Sequence, residues 1–187
     1  HYVGDAHVPL HTTENYNGQL TGQTGIHGFW ESRIPKLFGE DFDYFIGKAD
    51  FIASPTEHIW RVVYESHRAL DTVLGSEKHI SSTYPSDRKY AYEVKGNNNV
   101  RLYSEDYTRT YNKMMDGMVE RRMRQAIKSV ADIWYTCWVN AGSPDLKQIT
   151  AKPLSPEEEQ QMREEEMAWK ERKRPQFGHP HPEKGDE

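Results

Sequence analysis

The sequence predicts an all-α protein with several helices and one small hairpin. Ser54-Pro55-Thr56-Glu57 is a helix start, because serine caps the first turn, proline suits its first position and glutamate completes a capping box. Ser155-Pro156-Glu157-Glu158 is a second start of the same type. Between the two, apolar residues recur at helical spacing from Ser104 to about Ala141, which predicts one long helix.

Each predicted helix carries an apolar stripe that should face the core. The helix that begins at Ser54 is predicted to end at Gly75, and a shorter helix follows it to about Ser81. Gly142 and Pro144 are expected to stop the long helix. Its stripe consists of Tyr107, Tyr111, Met115, Met118, Met123, Ile127, Val130, Trp134, Cys137 and Trp138. Three nearby arginines are interpreted as a solvent-facing surface rather than as phosphate contacts: Arg121, Arg122 and Arg124.

Residues 83–103 interrupt the helical pattern. Gly96 and the asparagines at 97–99 are loop markers. Short extended pieces, Tyr90 to Val94 and Val100 to Tyr103, flank this tract and predict a small hairpin. A single hairpin does not form a sheet domain by itself, so the predicted fold class remains all-α.

Length and charge narrow the class of protein further. The length of 187 residues allows one domain with a hydrophobic core. The net charge is −5 and the mean hydropathy is −0.94. Most of the negative charge lies from Ser155 onward, where acidic residues exceed basic ones, so the rest of the chain is nearly neutral. That part of the sequence shows no basic patch of the kind that binds nucleic acid. No apolar run is long enough to span a membrane. We predict a main domain over residues 1–154. A charged helix and, from Arg174, a disordered tail should occupy residues 155–187.

Metal-ligating residues are concentrated in the first 31 residues. His1 and Asp5 are four residues apart, as are His27 and Glu31, so each pair would share one face of a helix. His11 lies between the pairs, after a proline that should already have ended the first helix. Imidazole nitrogens and carboxylate oxygens suit zinc, and the absence of cysteine from these 31 residues excludes a thiolate finger here.

These residues resemble the zinc-dependent phospholipase C and fungal single-strand nuclease superfamily. Its members carry a helical H-x3-D-x5-H motif, a loop, and then H-x3-D or H-x3-E; here the two motifs are HYVGDAHVPLH and HGFWE. The resemblance implies a multi-helix bundle around a cluster of up to three zinc ions. His1 and Asp5 would belong to one zinc, and His11, His27 and Glu31 would complete most of another.

The resemblance also implies a function. The protein would be a zinc-dependent hydrolase that cleaves phosphodiester bonds by a zinc-bound hydroxide, and members of the family are secreted or periplasmic. Glu31, the lack of disulfide potential and the lack of a basic face favour the phospholipase C-like branch over the nuclease branch. The substrate would be a phospholipid head group or single-stranded nucleic acid. Asn15 and Asn17 would border its phosphate pocket, and Trp30 is the aromatic candidate for the cleft rim.

The chain departs from the family at its start. The family also uses an N-terminal aromatic residue and further His and Asp ligands upstream of the first motif, whereas this chain begins at that motif. We therefore interpret it as the C-terminal portion of a longer protein, so no catalytic base is assigned and no protein partner is inferred. The alternative is that His1 is a processed terminus that chelates metal through its amine. A single-strand-specific nuclease and a non-catalytic zinc-stabilised helical domain are the alternative functions.

The other histidines and most other aromatic residues are interpreted as packing or surface residues. His7 fits neither ligand pair, and no independent signal supports a ligand partner for His58, His67 or His79. His179 and His181 lie among alternating prolines in the tail and are expected to be solvated. The aromatic segment after Glu31 is expected to pack over the ligand helix as core; it comprises Phe38, Phe42, Tyr44 and Phe45.

Overall fold

Helices make up most of the described protein, as the sequence predicts. A computed structural model describes residues 1–96, 98–150 and 155–172. The α-helices are α1 (Tyr2–Asp5), α2 (Ile26–Gly28), α3 (Ile34–Phe38), α4 (Pro55–Arg68), α5 (Leu70–Thr83), α6 (Glu105–Met114), α7 (Met118–Asn140), α8 (Leu146–Thr150) and α9 (Pro156–Arg172). A π-helical turn covers Phe29–Arg33, and 3₁₀ turns cover Pro9–Thr12, Gly39–Asp41 and Ser86–Arg88. The chain divides into two units, His1–Ser143 and a second that begins at Pro144.

The predicted hairpin is confirmed. Strands β1 (Tyr90–Lys95) and β2 (Asn98–Tyr103) pair antiparallel, with Tyr90 opposite Tyr103 and Glu93 opposite Val100. Gly96 lies in the connecting turn with a left-handed backbone (φ +61°), a conformation that glycine adopts at little steric cost.

Helix α4 begins as the sequence predicts but ends earlier. The Ser54 hydroxyl accepts a hydrogen bond from the Glu57 amide at 3.4 Å, which confirms the capping serine. The predicted end at Gly75 is wrong, because α4 ends at Arg68 and α5 continues through Gly75 to Thr83. A glycine inside a helix costs about 1 kcal/mol relative to alanine, and burial of apolar side chains on both sides of it outweighs that cost. Those side chains are Leu70, Val73 and Ile80.

The predicted long helix from Ser104 to Ala141 is two helices. Helix α6 ends at Met114 and α7 begins at Met118, because Asp116 and Gly117 both have positive φ (+49° and +68°) and cannot continue a right-handed helix. The predicted stop at Gly142 is confirmed. Ser143 N–H donates to Trp138 O and Gly142 N–H donates to Val139 O, the bond pattern of a glycine-terminated helix.

The predicted apolar stripe is confirmed at Tyr107, Tyr111, Met115 and Met118, which are buried, but farther along α7 the buried residues are polar. Asp132 and Thr136 are buried, and their side chains accept hydrogen bonds from the amides of Asp50 (2.7 Å) and Ile52 (2.9 Å). An extended segment therefore runs beside α7, and its backbone donors require polar partners. Trp134, predicted to be core, is 74% exposed on the opposite side. Among the three arginines predicted to face solvent, Arg122 is instead buried.

Stacked aromatic rings form the centre of the core. Phe29 stacks on Tyr103 and Tyr111 with ring centroids 3.9 and 4.7 Å apart, and Tyr103 stacks on Tyr107 at 5.4 Å. Hairpin, α6 and the π-helical turn therefore meet at one cluster. Of the aromatic segment predicted to be core, Phe38 is buried, Phe42 is half-buried, and Tyr44 and Phe45 are exposed.

The second unit contains α8 and α9. Ser155 and Glu158 exchange hydrogen bonds, from Ser155 N to Glu158 Oε2 at 2.8 Å and from Glu158 N to Ser155 Oγ at 3.2 Å, which confirms the second capping box. Met162 and Met167 are exposed on α9. The predicted boundary at residue 155 lies inside this unit, and the tail predicted to be disordered lies outside the described residues. No described helix has the length and apolar character to cross a membrane.

Candidate metal centre

Three predicted ligands, His11, His27 and Glu31, come from two short structured segments. His11 lies in the 3₁₀ turn Pro9–Thr12, whose first position is a proline. His27 lies in α2, and Glu31 follows it in the π-helical turn Phe29–Arg33. Such turns are rare and occur frequently at functional sites. The two segments bring the three side chains together although 16 residues separate the histidines.

The distances between the ligand atoms fit a zinc ion. His11 Nε2 lies 3.2 Å from His27 Nε2 and 3.6 Å from Glu31 Oε2. His27 Nε2 lies 2.7 Å from the same oxygen. A tetrahedral ion with bonds of about 2.1 Å separates its ligand atoms by about 3.4 Å, so two separations already match and the third is that of a hydrogen bond. Within the described ranges, these residues are the group of candidate ligands whose atoms all lie within 4.8 Å of one another.

A hydrogen bond orients the His11 ring toward the other two ligands. His11 Nδ1 lies 3.2 Å from the backbone carbonyl oxygen of Asp5. A carbonyl oxygen can only accept, so this bond places the ring proton on Nδ1 and leaves the Nε2 lone pair for a ligand. In metal-binding histidines, the ring nitrogen that does not bind the metal commonly donates a hydrogen bond of this kind.

The charges of the centre are coupled. Hydrogen bonds from His11 and, second, from His27 lower the pKa of Glu31 to about 2, although partial burial opposes this shift. The hydrogen bond to Glu31 in turn raises the pKa of His11 above its ordinary value of 6.5. The Glu31 carboxylate therefore favours the protonated form of the His11 ring, and a metal ion that binds His11 must compete with that proton.

Zinc binding is expected to weaken as the pH falls through the neutral range. Because the pKa of His11 is raised above 6.5, the ring keeps its proton to higher pH and zinc competes with that proton. The dissociation constant should rise about tenfold per pH unit for each displaced proton. Competition with a chelator, between about pH 6 and pH 8, measures this slope. A dissociation constant independent of pH over that range would exclude His11 as a ligand.

His1 and Asp5 lie beside the three ligands rather than among them. His1 Nε2 is 3.3 Å from Asp5 Oδ2, and the His1 side chain is 83% exposed. Asp5 Oδ1 lies 3.8 Å from His11 Nδ1, so the Asp5 carboxylate is adjacent to the group formed by His11, His27 and Glu31. The structure thus brings the two predicted pairs to the same place, and ligation by His1 and Asp5 stays a prediction.

Asn15 and Asn17, predicted to border a phosphate pocket, hold the loop between the two ligand segments. Asn15 Nδ2 donates to Thr21 Oγ1 at 3.0 Å, and its Oδ1 accepts from the Leu20 amide at 2.8 Å. Asn17 Oδ1 accepts from the Gly25 amide at 3.1 Å, just before α2. Both amides therefore position the loop, and phosphate contact by these residues stays a prediction.

Gly18 lets this loop close. Its φ is +75°, and an added Cβ would lie 2.3 Å from the Gln23 carbonyl oxygen. We expect Gly18→Ala to lower the free energy of unfolding by more than about 2 kcal/mol, because left-handed strain of about 1–2 kcal/mol adds to the overlap. Gly22→Ala is the matched control, since its φ is +72° but no atom lies within 4 Å of the new Cβ. Equal losses of unfolding free energy in the two variants, measured by chemical denaturation, would mean that the overlap at Gly18 is relieved without cost.

Trp30 does not lie at the rim of a cleft as predicted. Its side chain belongs to the hydrophobic core and is 3% exposed. The π-helical turn rotates successive side chains differently from an α-helix, so Glu31 faces the other ligands while Trp30 faces inward. The aromatic ring that does lie near the ligands is Tyr16, half-exposed in the loop, with its ring centroid 6.0 Å from that of His27.

An open apolar cleft adjoins the centre, and the sequence alone did not identify it. Asp5, His11 and Thr12 are among the residues that line the cleft. The remaining lining is largely apolar and includes Tyr2, Ile59, Val63 and Tyr64. Tyr64 is 68% exposed on α4, so its helical spacing from Trp60, also exposed, was the available signal for an outward-facing aromatic strip.

Comparisons with family models, curated proteins and solved structures find no match for this chain. The class assigned to the protein therefore depends on the geometry of the centre and on the two motifs.

Proposed function

We propose that the protein is a zinc-dependent hydrolase of phosphodiester bonds, of the phospholipase C-like kind. The observation that carries this proposal is the convergence of His11 Nε2, His27 Nε2 and Glu31 Oε2, two of whose three separations suit ligands of one zinc ion. Three protein ligands are the number found in catalytic zinc sites, which keep a further position open for water or substrate. A structural zinc site would have four.

The chemistry follows from the ligand set. Zinc held by three protein ligands lowers the pKa of water at its open position to roughly 7 and stabilises charge on a phosphoryl oxygen. His11, His27 and Glu31 would hold the ion, and the carbonyl of Asp5 would keep the His11 ring in its binding orientation. The carboxylate of Glu31, whose pKa is about 2, remains charged over the whole working pH range and offsets part of the ion's charge.

The apolar cleft supports the phospholipase C-like branch. It shares Asp5 and His11 with the metal centre, so a substrate whose phosphate lies at the metal would extend its neighbouring group along the cleft. Apolar walls favour an acylglycerol over a charged polynucleotide strand. The net charge of −5 agrees with this choice, because nucleic-acid sites are usually basic.

The finer features of the family belong to the proposal as well. A multi-helix bundle around as many as three zinc ions agrees with the mostly helical fold and with the position of His1 and Asp5 beside the three ligands. A secreted or periplasmic location follows from the same resemblance.

Zinc content and hydrolysis, measured together, test this function. The chain is stripped with a chelator, loaded with zinc and dialysed, and its zinc is measured by elemental analysis. It is then assayed on a chromogenic phosphodiester, a choline phospholipid and single-stranded DNA. We expect bound zinc and zinc-dependent hydrolysis of the phospholipid, both lost in His27→Ala and both retained in Trp134→Ala, a variant at an exposed position.

Each other result selects a different function. Preference for single-stranded DNA would identify the nuclease branch. Bound zinc that raises thermal stability without any hydrolysis would identify a non-catalytic zinc-stabilised domain. Absence of bound zinc would remove the metal centre from the proposal.

A further inference from the structure

A buried polar network holds the backbone of the segment between Asp5 and His11. Arg122, on α7, donates from Nε to the backbone carbonyl of His7 at 2.9 Å. Its Nη2 contacts the Ser66 hydroxyl and donates to the Val62 carbonyl at 3.2 Å. Ser66, on α4 and fully buried, donates to the carbonyl of Ala6 at 2.6 Å. Two helices thus hold two successive carbonyls of the segment between Asp5 and His11.

The same segment is held at a third point through the His7 ring. His7 Nδ1 donates to the Val3 carbonyl in α1 at 2.8 Å, so the ring proton is on Nδ1. Its Nε2 lies 3.2 Å from the hydroxyl of Ser129 on α7. His7 is 2% exposed, which leaves no water to replace these partners.

These contacts fix the carbonyl that orients the metal-binding histidine. The carbonyl of Asp5 accepts the His11 Nδ1 proton, and the next two carbonyls along the chain are those held by Ser66 and Arg122. The orientation of one peptide group constrains that of its neighbours, because each residue has only two soft backbone dihedrals. The Asp5 carbonyl also accepts from the Val8 amide at 3.0 Å, and we expect a shift of Ala6 or His7 to turn this peptide group relative to the His11 ring.

We propose that Arg122 and Ser66 are positioning residues that set the tautomer and orientation of His11 through the backbone carbonyl of Asp5. The proposal rests on the proposed function only for its consequence, a His11 Nε2 ready to bind zinc. Arg122 suits the role because its planar guanidinium bonds to several acceptors at once, which a lysine ammonium cannot reproduce. Its carboxylate partner, Glu65, is half-exposed at 3.3 Å, so the backbone and Ser66 are its buried partners.

Three variants test this role. Ser66→Ala removes the bond to Ala6, and Arg122→Lys keeps the charge while losing the branched contacts. Thr108→Val is the matched control, because the fully buried Thr108 hydroxyl also donates to a backbone carbonyl, that of Ser104 at 2.7 Å, but outside the network. For each variant we would measure thermal stability, the zinc dissociation constant and the ¹⁵N shifts of the His11 ring in the metal-free protein.

A positioning role and a purely structural role predict different effects on zinc affinity and on the tautomer of the His11 ring. We expect Ser66→Ala and Arg122→Lys to weaken zinc binding by about 10- to 100-fold, the usual effect of losing a group behind a metal ligand. The His11 nitrogens should change from one tautomer to a mixture. Thr108→Val should lower stability with both readouts unchanged. Unaltered ring shifts and zinc affinity in Ser66→Ala would overturn the proposal, even if Arg122→Lys fails to fold.

The ring shifts separate this proposal from the proposed function. A wild-type protein that binds no zinc would refute the metal centre, yet the metal-free ring shifts would still decide whether Ser66 and Arg122 set the His11 tautomer. Normal zinc binding in all variants would refute the positioning role alone.

Discussion

Glu31→Ala is expected to lower the bound zinc by about one equivalent. The substitution removes the carboxylate of the ligand set and leaves two neutral imidazoles, which hold zinc far more weakly than three ligands with a negative charge. The His11 ring also loses the partner that raises its pKa, so His11 should titrate nearer its ordinary value of 6.5. Elemental analysis after dialysis measures the first effect, and histidine titration by NMR measures the second.

Glu40→Ala controls for the loss of an acidic side chain. Glu40 is exposed in the 3₁₀ turn Gly39–Asp41, outside the group of candidate ligands. Zinc content should therefore equal that of the wild type. Unchanged stoichiometry in Glu31→Ala would remove this residue from the site and with it the observation that carries the proposed function.

Phe29→Ala is expected to lower the free energy of unfolding by about 3–5 kcal/mol, the usual cost of deleting a buried aromatic ring. Phe29 is 2% exposed and stacks on Tyr103 and Tyr111, which join the hairpin and α6 to the core. The cavity would open where three elements meet, so neighbouring side chains cannot easily fill it. Chemical denaturation followed by tryptophan fluorescence measures the change.

Trp134→Ala gives the opposite expectation. The length and apolar spacing of α7 predicted a core position, for which the cost would be similar to that at Phe29. Since Trp134 is 74% exposed, we expect a change within about 0.5 kcal/mol. A large loss at Trp134 together with a small loss at Phe29 would mean that the core is built on the other face of α7.

Local sequence patterns predicted where several elements begin and end. Ser54 and Ser155 cap the helices they precede, Gly142 ends α7, and a glycine turn joins the two strands. Each of these features depends on atoms within a few residues of one another, so the sequence contains the necessary information. The breaks after Arg68 and after Met114 were missed because apolar spacing continues across them.

In the candidate site too, some features were predicted from local sequence and others depended on the tertiary structure. The spacing of His27 and Glu31 predicted that they share a helical face, and their nearest atoms are 2.7 Å apart. His11 was recognised as a ligand from its chemistry and from the resemblance, whereas its distance to His27 depends on how the loop between them closes around Gly18. Trp30 was misplaced because its position beside Glu31 in the sequence does not show which of the two side chains faces the core.

Residue types and local spacing predicted the helix caps and the hairpin, and together with the resemblance they named the five candidate ligands in the first 31 residues. Tertiary structure decided which helix face is buried and which polar groups support the site. Arg122 looks like a surface arginine in sequence, but it is 7% exposed because the carbonyls of His7 and Val62, remote along the chain, need its donors. Buried backbone groups need hydrogen-bond partners at the places where the fold buries them, and the spacing of apolar residues in the sequence does not show where those places are.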